Sequence, residues 1–122
     1  MKTTSYSGRR MPPKVSAQEI RKIFEDKTLR ELVSLSNHCV YNYRTRFKPD
    51  LRRGEAQKEL YRRMYEHGVF TTDTPDWLVT STTTNVGYVT IEDEIALPIA
   101  ESDRDSRLHP YVAVTCLYRV HR

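Results

Sequence analysis

The chain has 122 residues, of which 38% are hydrophobic and 30% are charged, with a net charge of +4. Enough apolar side chains are present to offset the entropy of folding, which excludes collagen-like, low-complexity and wholly disordered chains. The sequence contains no run of about 20 apolar residues, the length that is needed to span a bilayer. Residues 1–13 lack the apolar segment of a secretory signal. We expect a flexible basic arm over residues 1–15 and one cytoplasmic domain over residues 16–122, without a membrane partner.

Two helices are predicted at the start of this domain and a third after residue 53. Residues 16–19 (Ser-x-x-Glu) and 28–31 (Thr-x-x-Glu) are capping-box patterns, in which each side chain bonds the other residue's backbone N–H. The second box opens an apolar spacing that predicts one long helix over residues 28–47. A third helix is predicted from residue 54 or 55 to 67, with Gly68 as the C′ residue that follows its C-terminal cap.

The C-terminal half carries the two-residue alternation of strands. Residues 77–83 and 86–91 are rich in Thr, Val and aromatic side chains and predict a hairpin. Residues 95–99 predict a short or edge strand, because Pro98 cannot donate a ladder hydrogen bond. Residues 111–120 alternate as a strand, and between residues 111 and 117 both of its faces are largely apolar, which predicts a central strand covered by the helices on one side.

This order of elements favours an α+β fold, with three N-terminal helices (residues 16–68) packed on one face of a four-stranded antiparallel sheet (residues 76–121). A winged-helix arrangement is the alternative. It is less favoured because its second helix would be unusually long. Residues 77–94 also contain no Lys or Arg with which a wing could contact phosphates.

The cysteines and the remaining motifs predict neither a cofactor nor a metal. Cys39 and Cys116 lie in apolar segments, so we expect two reduced, buried thiols, with a disulfide between them as the alternative. Zinc requires Cys or His ligands at close paired spacing, and only His38 and Cys39 are adjacent. The sequence has no glycine-rich phosphate loop and no serine nucleophile motif, so no enzymatic activity is supported by a motif.

The charges are unevenly distributed along the chain. Residues 1–68 carry 16 basic and 8 acidic side chains, whereas residues 69–122 carry 4 basic and 8 acidic ones. Such asymmetry is typical of a protein that meets a polyanion or an oppositely charged partner. A solvated dipolar surface that selects no partner is the alternative.

The strongest candidate for function is the basic and aromatic segment between Tyr41 and Tyr65, called here the Arg/Tyr ridge. Arginine donates two hydrogen bonds to phosphate through its planar guanidinium, and tyrosine can stack on an unpaired base. We expect the ridge to lie exposed, with its arginines side by side. The candidate nucleic-acid-binding residues are Arg44, Arg46, Lys48, Arg52, Arg53, Lys58, Tyr61, Arg62, Arg63 and Tyr65.

The sequence therefore predicts a small, non-catalytic nucleic-acid-binding protein that uses this ridge on RNA or single-stranded DNA. The first alternative is a protein-interaction or assembly factor that self-associates, or docks an acidic partner, through the charge asymmetry. In such an assembly the acidic hairpin of one copy meets the basic ridge of another.

A third hypothesis is a metal-independent ribonuclease. The element order resembles that of barnase-like and RelE-like toxins, in topology alone and without a shared motif. A ribonuclease needs a base, an acid and a group that stabilises charge on phosphorus. In this chain His109, Arg119 and Tyr88 are the candidate residues for these roles.

Overall fold

The computed structural model of the protein describes residues 16–78, 86–102 and 109–120. Its elements are α1 (Ala17–Asp26), α2 (Leu29–Leu32), β1 (Val33–Leu35), α3 (Asn37–Phe47), α4 (Arg53–His67), β2 (Gly68–Thr71), β3 (Gly87–Ile91), β4 (Ile95–Glu101), β5 (Tyr111–Ala113) and β6 (Leu117–Tyr118). The fold is α+β, as predicted. The prediction of three helices on a four-stranded antiparallel sheet is wrong in detail, because the described residues form four helices and a mixed six-stranded sheet. The predicted arm lies outside the described residues.

The first two helices begin at the predicted capping boxes. Ser16 Oγ accepts a hydrogen bond from the N–H of Glu19 at 3.2 Å, and Glu19 Oε1 accepts one from the N–H of Ser16 at 3.0 Å. Thr28 and Glu31 exchange the same pair of bonds at 3.3 and 3.0 Å. Both boxes satisfy backbone donors that have no partner within the helix. This prediction is confirmed.

The predicted helix over residues 28–47 is wrong, because a strand divides it. α2 ends at Leu32, and Ser36 begins α3 by accepting a hydrogen bond from the N–H of Cys39 at 3.0 Å. Between them β1 places Val33 and Leu35 in the core and pairs in parallel with β5. The pairing partner is distant in sequence, and this tertiary contact overrides the local helical spacing.

The sheet has the strand order β1-β5-β4-β3-β2, with β6 beside β4. β1 and β5 are parallel, and the other pairs are antiparallel. Both edges of β3 are occupied, by β2 and β4, so the predicted hairpin between residues 77–83 and β3 is wrong. Residues 79–83 of that predicted strand lie outside the described residues.

Pro98 lies in an interior strand of 7 residues, β4, so the prediction of a short or edge strand is wrong. The N–H and C=O of one strand residue point to the same side. The carbonyl of Pro98 accepts a hydrogen bond from the N–H of Val114 at 3.0 Å, so its nitrogen, which carries no hydrogen, also faces this side. On this side of β4, the segment that contains Val114, between β5 and β6, is not in a strand. The missing donor thus coincides with the interruption that splits the predicted strand over residues 111–120.

The core lies between the helices and one face of the sheet. The pairs Val89–Leu97 and Ile99–Ala113 stand on this face, because paired residues of a ladder point to the same side. All four of these side chains are buried. The helices contribute Ile20, Cys39, Val40, Tyr43, Ala56, Leu60 and Met64 to the same core.

Both cysteines are free and buried, as expected from the sequence. Burial raises the pKa of the Cys116 thiol to about 12 and also raises the pKa of Cys39. No helix in the described part of the chain is long and apolar enough to cross a membrane.

Candidate functional site

The structure divides the Arg/Tyr ridge into cations that have protein partners and cations that do not. Arg63 belongs to the first group, because its side chain is only 14% exposed. Its Nη2 donates to Glu92 Oε1 at 2.5 Å and to Glu94 Oε2 at 2.9 Å, while Nη1 donates to Tyr43 Oη at 3.3 Å. Burial disfavours the charge, but these bonds raise the pKa of Arg63 above its ordinary value. Arg63 therefore joins α4 to the turn between β3 and β4.

The same network extends to the end of α3. Tyr43 Oη donates to Glu59 Oε2 at 2.8 Å, and Lys48 Nζ lies 3.3 Å from the same oxygen. Partial burial raises the pKa of Glu59. The hydrogen bonds with Tyr43 and Lys48 lower this pKa, and the net shift is downward. Arg62 forms an exposed ion pair with Glu66 at 3.1 Å. Lys48 and Arg62 are thus both paired within the protein.

Arg44 and Arg46 are also held by neighbouring groups. Arg44 Nε donates to the backbone carbonyl of Leu51 at 2.5 Å, which ties the end of α3 to the turn before α4. The Arg46 guanidinium lies over the ring of Tyr118, 4.2 Å from its centroid. These contacts stabilise the fold, although a guanidinium stacked on an aromatic ring keeps its in-plane donors.

The two ridge tyrosines have structural contacts. Tyr61 Oη accepts a hydrogen bond from the N–H of Leu35 at 2.9 Å, and this connects α4 to β1. The Tyr65 ring lies 4.4 Å below the Arg30 guanidinium and is tilted against Tyr61. Partial burial raises the pKa of Tyr65. Neither ring is the freely exposed stacking platform that the sequence suggested.

Five ridge cations have no ion pair with another described residue, and in three of these the side chain also has no ring contact with, or hydrogen bond to a backbone carbonyl of, the described part of the chain. They are Arg52, Arg53 and Lys58, all exposed near the start of α4. The ring of Tyr41, on the neighbouring helix α3, is 59% exposed. These three cations therefore lie together at this end of α4, and the exposed Arg46 keeps its in-plane donors over the Tyr118 ring.

The described part of the chain does not share the net positive charge of the whole sequence. It contains 13 Lys and Arg against 14 Asp and Glu, a balance of −1. Four further cations, Lys2, Arg9, Arg10 and Lys14, belong to residues 1–15, outside the described ranges. The described residues therefore lack the excess of positive charge that is typical of a protein that binds a polyanion.

The three candidate ribonuclease residues are not brought together. The N–H of Arg119 donates to the carbonyl of Glu94, just before β4. At the other end of β4, the N–H of Ser102 donates to the carbonyl of Pro110, the neighbour of His109. The ends of this 7-residue strand are about 20 Å apart. His109 Nε2 is 3.0 Å from the carbonyl of Arg30, and Tyr88 is 2% exposed.

A groove that the sequence reasoning missed lies on the sheet face opposite the helices. It has a volume of about 610 Å³ and follows β2, β3 and the segment after β2. We call it the acidic groove, because its described lining contains four carboxylates and no Lys or Arg. The lining residues are His67, Val69, Thr71, Asp73, Thr74, Pro75, Asp76, Trp77, Thr90, Glu92 and Asp93.

The carboxylates of the acidic groove fall into two pairs. Glu92 and Asp93 accept hydrogen bonds from Arg63 and Arg119, and the Arg63 bond lowers the pKa of Glu92. Asp73 and Asp76 are exposed and form no ion pair with another described residue. The available sequence signal was the acidic pair on either side of Thr74-Pro75 immediately before the single tryptophan.

Protein-family models, curated proteins and solved structures were each compared with the chain. None of them matches. The likeness to barnase-like and RelE-like toxins thus remains an expectation from element order. Within residues 16–78, 86–102 and 109–120, no group of three or more His, Cys, Asp or Glu side chains is arranged to hold a metal ion.

Proposed function

We propose that the protein is a non-catalytic interaction module whose acidic groove binds a basic segment of a partner protein. The observation that carries this proposal is that two exposed carboxylates without an ion pair among the described residues, Asp73 and Asp76, lie with the Trp77 indole ring in one groove. The other two carboxylates of the lining, Glu92 and Asp93, are already paired with Arg63 and Arg119. Carboxylates attract Lys and Arg side chains. The face of tryptophan is the best aromatic surface for a cation, and Arg119 already lies over the Trp77 ring, 6.0 Å from its centroid, so a cation of the ligand would share this ring with Arg119.

The position of the groove favours an extended ligand. β2 forms one end of the sheet order, and among the described residues no strand pairs with its outer edge. Val69, in β2, is 62% exposed and lines the groove. An exposed sheet edge can accept a further strand through backbone hydrogen bonds, while alternate side chains enter the neighbouring groove.

The charge of the groove governs how such binding should depend on salt. Exposed ion pairs contribute about 0.2–1 kcal/mol each, and a cation over an aromatic ring contributes about 0.5–1 kcal/mol at an exposed site. Several weak contacts must therefore act together. We expect affinity to fall as ionic strength rises, since exposed charges are screened over about 10 Å at 0.1 M salt.

Trp77 is the only tryptophan in the chain and lines the groove, so its fluorescence reports binding there. A hexa-arginine peptide is expected to change the emission saturably, whereas a hexa-glutamate peptide is not. Asp73→Asn combined with Asp76→Asn should weaken hexa-arginine binding several-fold. Glu25→Gln, an exposed carboxylate on α1, serves as the matched control. Equal affinity for the wild type and the double variant contradicts the proposal.

Binding of single-stranded nucleic acid is the second candidate, supported by the exposed and unpaired Arg52, Arg53 and Lys58. The test is the fluorescence anisotropy of a labelled RNA at several salt concentrations, with all three residues changed to Gln. Loss of three phosphate contacts should reduce the slope of log affinity against log salt by about 2 for a single strand. Arg62→Gln is the control. An unchanged slope in the triple variant contradicts this candidate.

A further inference from the structure

A second cavity, of about 450 Å³, lies where the end of α1, α2, the end of α4 and the start of β2 meet. It is called the aromatic pocket here. Its described lining consists of Phe24, Lys27, Thr28, Leu29, Arg30, Tyr65, Gly68 and Phe70. Three aromatic rings and a leucine thus accompany two cations, and no carboxylate belongs to this lining. The volume falls within the range of pockets that hold small ligands, about 300–1,000 Å³.

The apolar part of the pocket is held in place by aromatic packing. The rings of Phe24 and Phe70 are stacked, with centroids 3.8 Å apart and planes 6° from parallel. The Tyr65 ring is partly buried, and this burial raises the pKa of its hydroxyl. A planar ligand entering the pocket would therefore meet preorganised aromatic and aliphatic surface.

The cations of the pocket are available to an anion. Neither Lys27 nor Arg30 forms an ion pair with another described residue, and both are exposed. The Arg30 guanidinium stacks on Tyr65 at 4.4 Å, an arrangement that leaves its in-plane N–H groups free to donate. The adjacent carboxylate of Glu31 accepts hydrogen bonds from Thr28 in the capping box.

From this combination we infer that the aromatic pocket binds a nucleoside monophosphate. The base packs among the aromatic rings, and the phosphate accepts hydrogen bonds from Lys27 and Arg30. Both requirements follow from ligand chemistry, since a planar base matches an aromatic surface and a dianionic phosphate matches paired Lys and Arg donors. The inference is independent of the acidic groove, which shares no lining residue with this pocket.

Isothermal titration calorimetry with AMP tests the inference. We expect saturable binding at one site. Lys27→Gln and Arg30→Gln should each weaken AMP binding about tenfold, because each removes a charge-assisted hydrogen bond. Lys22→Gln, an exposed cation on α1 outside the pocket lining, is the matched control and should leave the affinity unchanged.

A series of ligands separates the contribution of the aromatic rings from that of the two cations, and it distinguishes a free nucleotide from a nucleotide within an oligonucleotide. Adenosine should bind more weakly than AMP, and inorganic phosphate more weakly still. The inference is overturned if AMP does not bind at millimolar concentration, even where an adenylate oligonucleotide does. It is also overturned if adenosine binds as tightly as AMP, or if both cation variants keep the wild-type affinity. Thermal melts of the variants establish that they remain folded.

Discussion

Replacement of Arg63 by alanine tests the reassignment of this residue from ligand binding to structure. The substitution removes a side chain that bonds Glu92, Glu94 and the hydroxyl of Tyr43 and that is 14% exposed. Breaking a fully buried ion pair costs about 3–5 kcal/mol. Both carboxylates are nearly half exposed here, at 48% and 43%, and they regain water when the guanidinium is removed.

The expected loss in the free energy of unfolding is therefore about 2 kcal/mol, below the cost of breaking a fully buried pair. For a domain of this size, 1 kcal/mol corresponds to about 3–5 °C in Tm, so the midpoint should fall by about 6–10 °C. Arg62→Ala is a matched control on the same helix. Its exposed pair with Glu66 contributes only about 0.3–0.5 kcal/mol.

The assay is thermal and urea unfolding of both variants followed by circular dichroism. A loss in Arg63→Ala no larger than that in Arg62→Ala would refute the structural role and return Arg63 to the candidate binding residues. The result also affects how nucleic-acid binding is tested. A variant that includes Arg63→Ala mixes lost stability with lost affinity, whereas Arg52, Arg53 and Lys58 can be changed without disturbing a described ion pair.

The same network predicts how stability depends on acid. The pKa of Glu92 is lowered from its usual value of 4.5 by the Arg63 hydrogen bond. A carboxyl whose pKa is lower in the folded state than in the unfolded state stabilises the fold at pH values above its unfolded-state pKa. This contribution is lost as the pH falls through the folded-state pKa. The stability difference between wild type and Arg63→Ala should therefore shrink below pH 4.5, as measured by urea midpoints. A difference that does not vary with pH contradicts this reasoning.

Three further predictions concern packing and burial. Gly68→Ala should lower the free energy of unfolding in urea by about 1–3 kcal/mol, because its Cβ would clash with the backbone oxygen of Met64. At Gly54 an added Cβ meets nothing within 4 Å, so Gly54→Ala should raise that free energy by about 0.5–1 kcal/mol. Tyr61→Phe should cost about 1–3 kcal/mol by leaving a β1 N–H unbonded. Cys39 and Cys116 should react with a thiol reagent at pH 8 only after unfolding, and fast labelling of the native protein contradicts their burial.

Local signals in the sequence predicted the parts of the fold that depend on neighbouring residues. The capping boxes, the third helix and its end near Gly68 agree with the structure, because caps and helical spacing act over a few residues. β1 could not be predicted in this way, since Val33 and Leu35 become a strand by pairing with distant β5. A local signal for the break did exist at Ser36, whose hydroxyl caps α3.

The candidate site was less predictable than the fold, for an electrostatic reason. The run of arginines identified where cations lie in the chain, but it could not show which of them meet carboxylates in space. Arg63 and Glu92 are separated by 29 positions and meet only because α4 packs beside the β3–β4 turn. The acidic groove likewise combines Asp73 and Asp76 with that turn. Such groupings exist only once the sheet has formed.

The parallel contact between β1 and β5 has a consequence for biosynthesis. Ser34 in β1 bonds the carbonyl of Tyr111 in β5, 77 positions further along the chain. While the chain emerges from the ribosome, Val33 and Leu35 therefore have no strand to join until residues 111–113 have been translated. Closing so long a loop is also a slow step in folding. β1 thus cannot join the sheet before β2, β3, β4 and β5 have all been translated.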